Sequence, residues 1–122
     1  MSEGTEIDII SEEYIYEKIY IIRGQKVMLD FELAEIYGYT TKAFNQQVKN
    51  NKERFDEDFR FKLTREEVKN LRSKNLTSSW GGSRYLPYVF TEQGIYMLMT
   101  VLKGDLAIRQ SKALIRPFKF PY

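Results

Sequence analysis

Between residues 30 and 55 the apolar positions recur every three or four residues. Leu33, Ala34 and Tyr37 fall on one side of a helix; after a break at Gly38 the spacing resumes with Phe44 and Val48, a line that Phe55 continues. The pattern predicts a short helix, a turn and a longer helix. Asp30 is placed to cap the first through its side-chain oxygen, and Thr40 or Thr41 to cap the second. Gly38 stands where a helix ends in a left-handed residue. At about 100° per residue, the side of the second helix opposite Phe44 and Val48 carries Lys42, Gln46, Lys49 and Asn50, with Asn45 on the flank. A short helix, a Gly-containing turn and a longer helix with a polar outer face make a helix-turn-helix.

The period changes along the rest of the chain. Residues 18–29 read as two β runs around Arg23-Gly24-Gln25, a tight hairpin. Residues 58–63 alternate strictly, with Phe59, Phe61 and Leu63 facing one way and Arg60 and Lys62 the other, as in a half-buried strand. Thr64 and Glu67 form a capping box for a helix over 65–75 that buries Val68 and Leu71. Residues 76–90 read as two extended runs joined at Gly81-Gly82, with Trp80 and Arg84 at the tip and Pro87 restricting its run to an edge or a strand end. Thr91 caps a helix burying Ile95, Leu98, Met99 and Leu102, which Lys103-Gly104 ends. Asp105 caps a last helix running to about Arg116, where Pro117 stops it; Leu106, Ala113 and Leu114 share one side, Arg109, Lys112 and Arg116 the other. Near the N-terminus, Ser11-Glu12-Glu13 can start a short helix behind an acidic, flexible lead-in.

Composition narrows the chemistry. There is no Cys and no His, so disulfides, thiolate or imidazole metal sites and the Ser-His and Cys-His forms of nucleophilic catalysis are excluded. The longest apolar-rich run, Ile95–Leu102, is far shorter than the roughly 20 residues of a membrane span. The formal net charge of +2 hides an asymmetry: residues 1–17 hold six acids and no base, so the other eleven acids face all nineteen bases, a net of +8 over residues 18–122. A basic domain behind an acidic leader is an electrostatic footprint for a polyanion.

A second helix of this kind enters the DNA major groove. Asn and Gln pair with adenine and Lys reaches guanine or phosphate, which makes Lys42, Asn45, Gln46, Lys49 and Asn50 the groove-facing candidates. Thr41 is placed to bond a phosphate at the helix N-terminus. Lys74 and Arg84 are candidates for the phosphate backbone, Arg84 at the tip of a hairpin acting as a wing. Two other classes compete. The high aromatic content, 15%, suits a protein-interaction module. A metal-dependent nuclease would have to lean on Asp56, Glu57 and Asp58, neighbours in a short connection that do not easily converge on one Mg²⁺.

The blocks RGQKVMLDFELAEIYG, NQQVKNNKERFDEDFRFKLT and WGGSRYLPYVFTEQGIYMLMTVLKGDLA, in this order, resemble the ORF6N domain, a phage-type DNA-binding module related to KilA-N and Bro-N domains. The likeness spans about residues 13–118; Asp56 stands where members more often have Pro. The resemblance implies the DNA-binding domain of a phage, prophage or bacterial regulatory protein, often followed by a variable C-terminal domain, with roles that include antirepression.

The expectation is an α+β fold: a helix-turn-helix core, small antiparallel β-hairpins and two C-terminal packing helices, with residues 1–12 an acidic leader and 13–122 the domain. The expected function is duplex DNA binding in the cytoplasm, without enzymatic activity, cofactor, metal or membrane. The alternative is an antirepressor-like interaction module that does not read DNA, and a homodimer or a protein partner fits either reading.

Overall fold

Strand alternation divides the apolar residues of this chain between the two faces of one sheet. The computed structural model describes residues 11–74 and 85–119. Within them the elements run α1 (Glu12–Glu17), β1 (Tyr20–Ile22), β2 (Gln25–Leu29), α2 (Asp30–Tyr37), α3 (Thr41–Lys49), a 3-10 turn (Lys52–Arg54), β3 (Arg60–Lys62), α4 (Arg65–Lys74), β4 (Tyr88–Phe90), α5 (Glu92–Leu102) and α6 (Gly104–Lys119). The strands form an antiparallel sheet in the order β1-β2-β4-β3. The expected β1–β2 hairpin turns through Arg23 and Gly24, both at positive φ (55° and 76°), so its two-residue turn follows the twist of the strands.

On one face Ile22, Val27, Leu29, Phe61, Leu63 and Val89 meet Val68 and Leu71 of α4. On the other, Met28 and Phe90 meet α2, α3, α5 and α6 through Leu33, Phe44, Val48, Leu98 and Leu114. Consecutive residues of β2 and β4 therefore feed different layers, as the pleat requires. The mixed α+β class, the helix pair and the two C-terminal packing helices are as the sequence predicts. So are the caps at Thr40, which accepts from the Ala43 amide, and Thr91, which accepts from Gly94; Ser11, where the sequence can start the first helix, accepts from the Tyr14 amide. Thr64 and Glu67 exchange the two bonds of a capping box.

Several expectations are corrected. Leu29, in extended conformation, is the residue that precedes α2; Asp30 is its first helical residue, and its carboxylate is used elsewhere. The last helix starts at Gly104 and does not stop at Pro117 but continues to Lys119. Pro117 removes one amide donor in the final turn, and burial of Pro117 and Phe118 in the core, with Lys26 Nζ donating to the Phe118 carbonyl at 3.2 Å, offsets that loss. The buried stripe of α6 is also rotated from the expected one. Leu106 is 43% exposed, while Ala107, Gln110, Ser111, Leu114, Ile115 and Phe118 face inward. Two of these are polar: Gln110 donates to the Ile36 carbonyl at 2.9 Å, its Oε1 having no partner among the described residues, and Ser111 pairs with the Tyr37 hydroxyl at 2.5 Å. On α5 Ile95, Leu98 and Leu102 are buried as expected, Met99 is half-buried, and Val101 joins the core. Finally, β4 lies between β2 and β3 with both edges paired, and Pro87 stands just before it, at a strand end. The first extended run, Gly81-Gly82 and Trp80 fall outside the described residues. Among the described residues no helix is long and apolar enough to cross a membrane.

Candidate nucleic-acid interface

The angle between α2 and α3 is set by backbone chemistry at Gly38. Its φ of 81° reverses the chain, the Gly38 amide bonds the Glu35 carbonyl at 3.1 Å and the Tyr39 amide bonds Ala34 at 2.8 Å. Those two bonds close off the end of α2 and release the chain into the Thr40 cap of α3. Phe44, fully buried, anchors α3 between Tyr37, Tyr39 and Phe90, with ring centroids 6.2, 6.4 and 5.6 Å away. Phe55 meets Phe90 edge-on at 5.9 Å, so the line that began at Phe44 does continue into the core. Burying a Phe side chain contributes roughly 1.5–3 kcal/mol, and aromatic pairs add about 0.5–1.5 kcal/mol each, enough to fix the rotation of a nine-residue helix.

That rotation presents Lys42, Gln46, Lys49 and Asn50 to solvent together, with Gln47 beside them. α3 contains no acidic residue. Gln46 donates its amide to Asn50 Oδ1 at 3.0 Å, one turn further on, which ties the two amides together along the helix. Thr41 is half-buried in the first turn, next to the amides freed at the helix start. Beyond the helix, Lys52 and Glu53 are exposed, and Arg54 is held by the Thr100 hydroxyl at 3.1 Å.

Asn45 behaves differently from the other groove-facing candidates. Its amide nitrogen donates to Asp30 Oδ2 at 2.9 Å, so the side chain turns toward α2 instead of outward. Asp30, 1% exposed, also accepts from the Tyr85 hydroxyl (2.8 and 2.7 Å to its two oxygens) and from the Tyr88 amide (3.2 Å). One carboxylate thus joins the start of α2, the flank of α3 and the chain leading into β4. Burial pushes the Asp30 carboxyl up from the usual range, and the hydrogen bonds from Tyr85, Asn45 and the backbone oppose that rise. The Tyr85 hydroxyl is pushed up in turn, first by burial and then by donating to Asp30. Sequence offered no sign of this network, because Asp30 and Tyr85 are 55 positions apart and a cap was the simplest local use for Asp30.

Of the phosphate-backbone candidates, Lys74 is the final residue of α4 and Arg84 falls outside the described residues. Arg109, Lys112 and Arg116 are exposed along α6. Among the described residues no group of three His, Cys, Asp or Glu side chains could hold a metal ion, and this includes Asp56, Glu57 and Asp58.

No curated protein and no solved structure matches the chain. The family model of the ORF6N domain matches residues 17–101. The match runs from the last residue of α1 into the final turn of α5, taking in the whole helix pair and sheet. By this match the chain belongs to the ORF6N domain family.

Proposed function

We propose that this domain binds duplex DNA as part of a phage- or prophage-type regulatory protein, with α3 entering the major groove. One observation carries the reading: α3 is capped, clamped to the core by Phe44 and Val48, free of acids, and its outward side chains Lys42, Gln46, Lys49 and Asn50 are all cationic or amide. Those are the groups that meet phosphates and the donor–acceptor edges of bases. The reading needs no catalytic step, cofactor or metal. At about 100° per residue Lys42 and Lys49 lie together on one side of Gln46 and Asn50, so the lysines steer and the amides read. Asn45, held by Asp30, sets the helix in place rather than reading a base. Membership of the ORF6N family supports a regulatory role of this kind.

Selection of bound sequences from a random duplex pool, followed by Gln46→Ala, tests the proposal. Loss of a base contact should weaken binding to the selected sequence by about 1–3 kcal/mol and leave random DNA nearly unaffected. If Gln46→Ala binds selected and random sequences in the parent's ratio, α3 is not the reader. Absence of binding to any duplex at low salt would leave the interaction-module reading in its place.

A further inference from the structure

Strand β3 lies at one edge of the sheet and its alternation puts Arg60 and Lys62 on the same side. Both stand over one ring. The Arg60 guanidinium carbon is 4.0 Å from the centroid of Tyr88 and 5.8 Å from that of Phe55, and Lys62 Nζ is 5.7 Å from Tyr88, its direct cross-strand neighbour. Lys62 is exposed and Arg60 half-buried. Among the described residues neither makes an ion pair, whereas Lys18, Arg23 and Lys119 are each bound to a carboxylate. Arg60 Nε is buried with no hydrogen-bond partner, and burial holds the Arg60 guanidinium below its usual range. Cation–π attraction holds a guanidinium over a ring without consuming its charge in an ion pair, so it can still meet an anion.

The position of this pair gives it meaning. The Tyr88 amide donates to Asp30, and Asp30 accepts from Asn45, so the ring and its two cations are joined to the flank of α3. On the helix, Asn45 is about 60° round from Lys42 and about 40° from Lys49 at 100° per residue. Asp30, the carboxyl whose charge acts on Arg60, is buried and already accepts three donors. The acids Asp56, Glu57 and Asp58 are exposed and precede the strand in sequence.

We propose that Arg60 and Lys62, held in place on Tyr88, form a phosphodiester clamp. It would grip the DNA backbone strand bordering the groove that α3 enters. The clamp rests on the reading of α3 as the groove element. It supplies a described element for the backbone contacts that the sequence assigned to Lys74 and Arg84.

The test is fluorescence anisotropy on a random-sequence duplex, titrated from about 50 to 200 mM salt, with Gln46→Ala run alongside. Lys62→Ala, at an exposed position, should bind every duplex severalfold more weakly and lower the salt slope by about one unit, as loss of one phosphate contact does. Tyr88→Leu should reproduce that loss and Tyr88→Phe, which keeps the ring face, should restore the parent's slope, with thermal melts confirming that both are folded. An unchanged slope in Lys62→Ala overturns the clamp and leaves the α3 reading to be judged by Gln46→Ala. Equal losses in folded Tyr88→Leu and Tyr88→Phe overturn the stacking role of the ring. A parent that binds no duplex at the lowest salt overturns clamp and α3 reading together.

Discussion

Gly94→Ala is a substitution on which local and tertiary physics disagree in sign. Gly94 lies inside α5, where replacing Gly by Ala gains about 0.8–1 kcal/mol from helix propensity alone. In the folded protein, a methyl group there would sit 2.2 Å from the Phe59 carbonyl oxygen, 3.2 Å from its carbon and 3.3 Å from Phe90 Cβ. Real Cβ contacts essentially never fall below 3.0 Å, so helix and loop would have to separate by about 0.8 Å. The obstacle is backbone, not a side chain that can swing away. The Phe59 carbonyl also accepts from the Thr91 amide at 3.0 Å and from the Thr91 hydroxyl at 3.3 Å, bonds that hold the start of α5 to the turn before β3. Overpacking costs about 1–3 kcal/mol or more, and weakening one or two buried hydrogen bonds adds roughly 0.5–1.5 kcal/mol each. Set against the propensity gain, the net loss should be about 2–4 kcal/mol. For a domain of this size that is a fall in Tm on the order of 10 °C. Thermal and urea unfolding followed by far-UV circular dichroism measure it, with an unchanged m value showing that the comparison is between the same two states. A variant as stable as the parent, or more stable, would refute the close approach of α5 to the Phe59 carbonyl.

Four further outcomes are expected. Asp30→Ala should cost about 2–5 kcal/mol in urea unfolding, because it strands the Asn45, Tyr85 and Tyr88 donors, whereas loss of a mere helix cap would cost about 1 kcal/mol. The same carboxyl has a pH signature. Its folded pKa is raised above the unfolded one, so the native state holds the proton longer, and stability falls as pH rises from the ordinary Asp value through the folded value. Asp30→Asn should flatten that part of the stability–pH curve, and an unaltered curve would show that Asp30 is not buried; Glu32, also raised by burial, keeps its own contribution of the same sign. Gly38→Val should lose roughly 1–3 kcal/mol through backbone strain alone, since the nearest atom to an added Cβ is Leu106 Cδ2 at a comfortable 3.9 Å; a melt matching the parent would argue against the left-handed residue. Leu98→Ala, at a position with no exposure, should cost about 2–5 kcal/mol by the same assay, and a shift of only a degree or two would contradict its place in the core.

Features that depend on neighbours along the chain were legible before any coordinates. The helix start at Ser11, the Thr40, Thr64 and Thr91 caps, the Arg23-Gly24 turn, the reversal at Gly38 and the Phe44–Val48 face each follow from a few consecutive residues, because hydrogen bonds within one helical turn and the sign of φ are local quantities. From the same local rules came the outward set Lys42, Gln46, Lys49 and Asn50. Tertiary structure decided what lies between distant segments. It took Asp30 away from a capping role and made it the acceptor for Asn45, Tyr85 and Tyr88, since a buried carboxylate must collect donors from whatever packs around it. It turned α6 so that Gln110 and Ser111 enter the core and Leu106 leaves it, a choice invisible to a count of apolar residues because it depends on Ile36 and Tyr37 offering partners 74 positions away. It carried the helix through Pro117, where packing outweighs one missing amide bond. And it set β4 between β2 and β3, bringing Tyr88 beneath Arg60 and Lys62: the alternation fixed the side those two cations share, but only the strand order placed the ring under them.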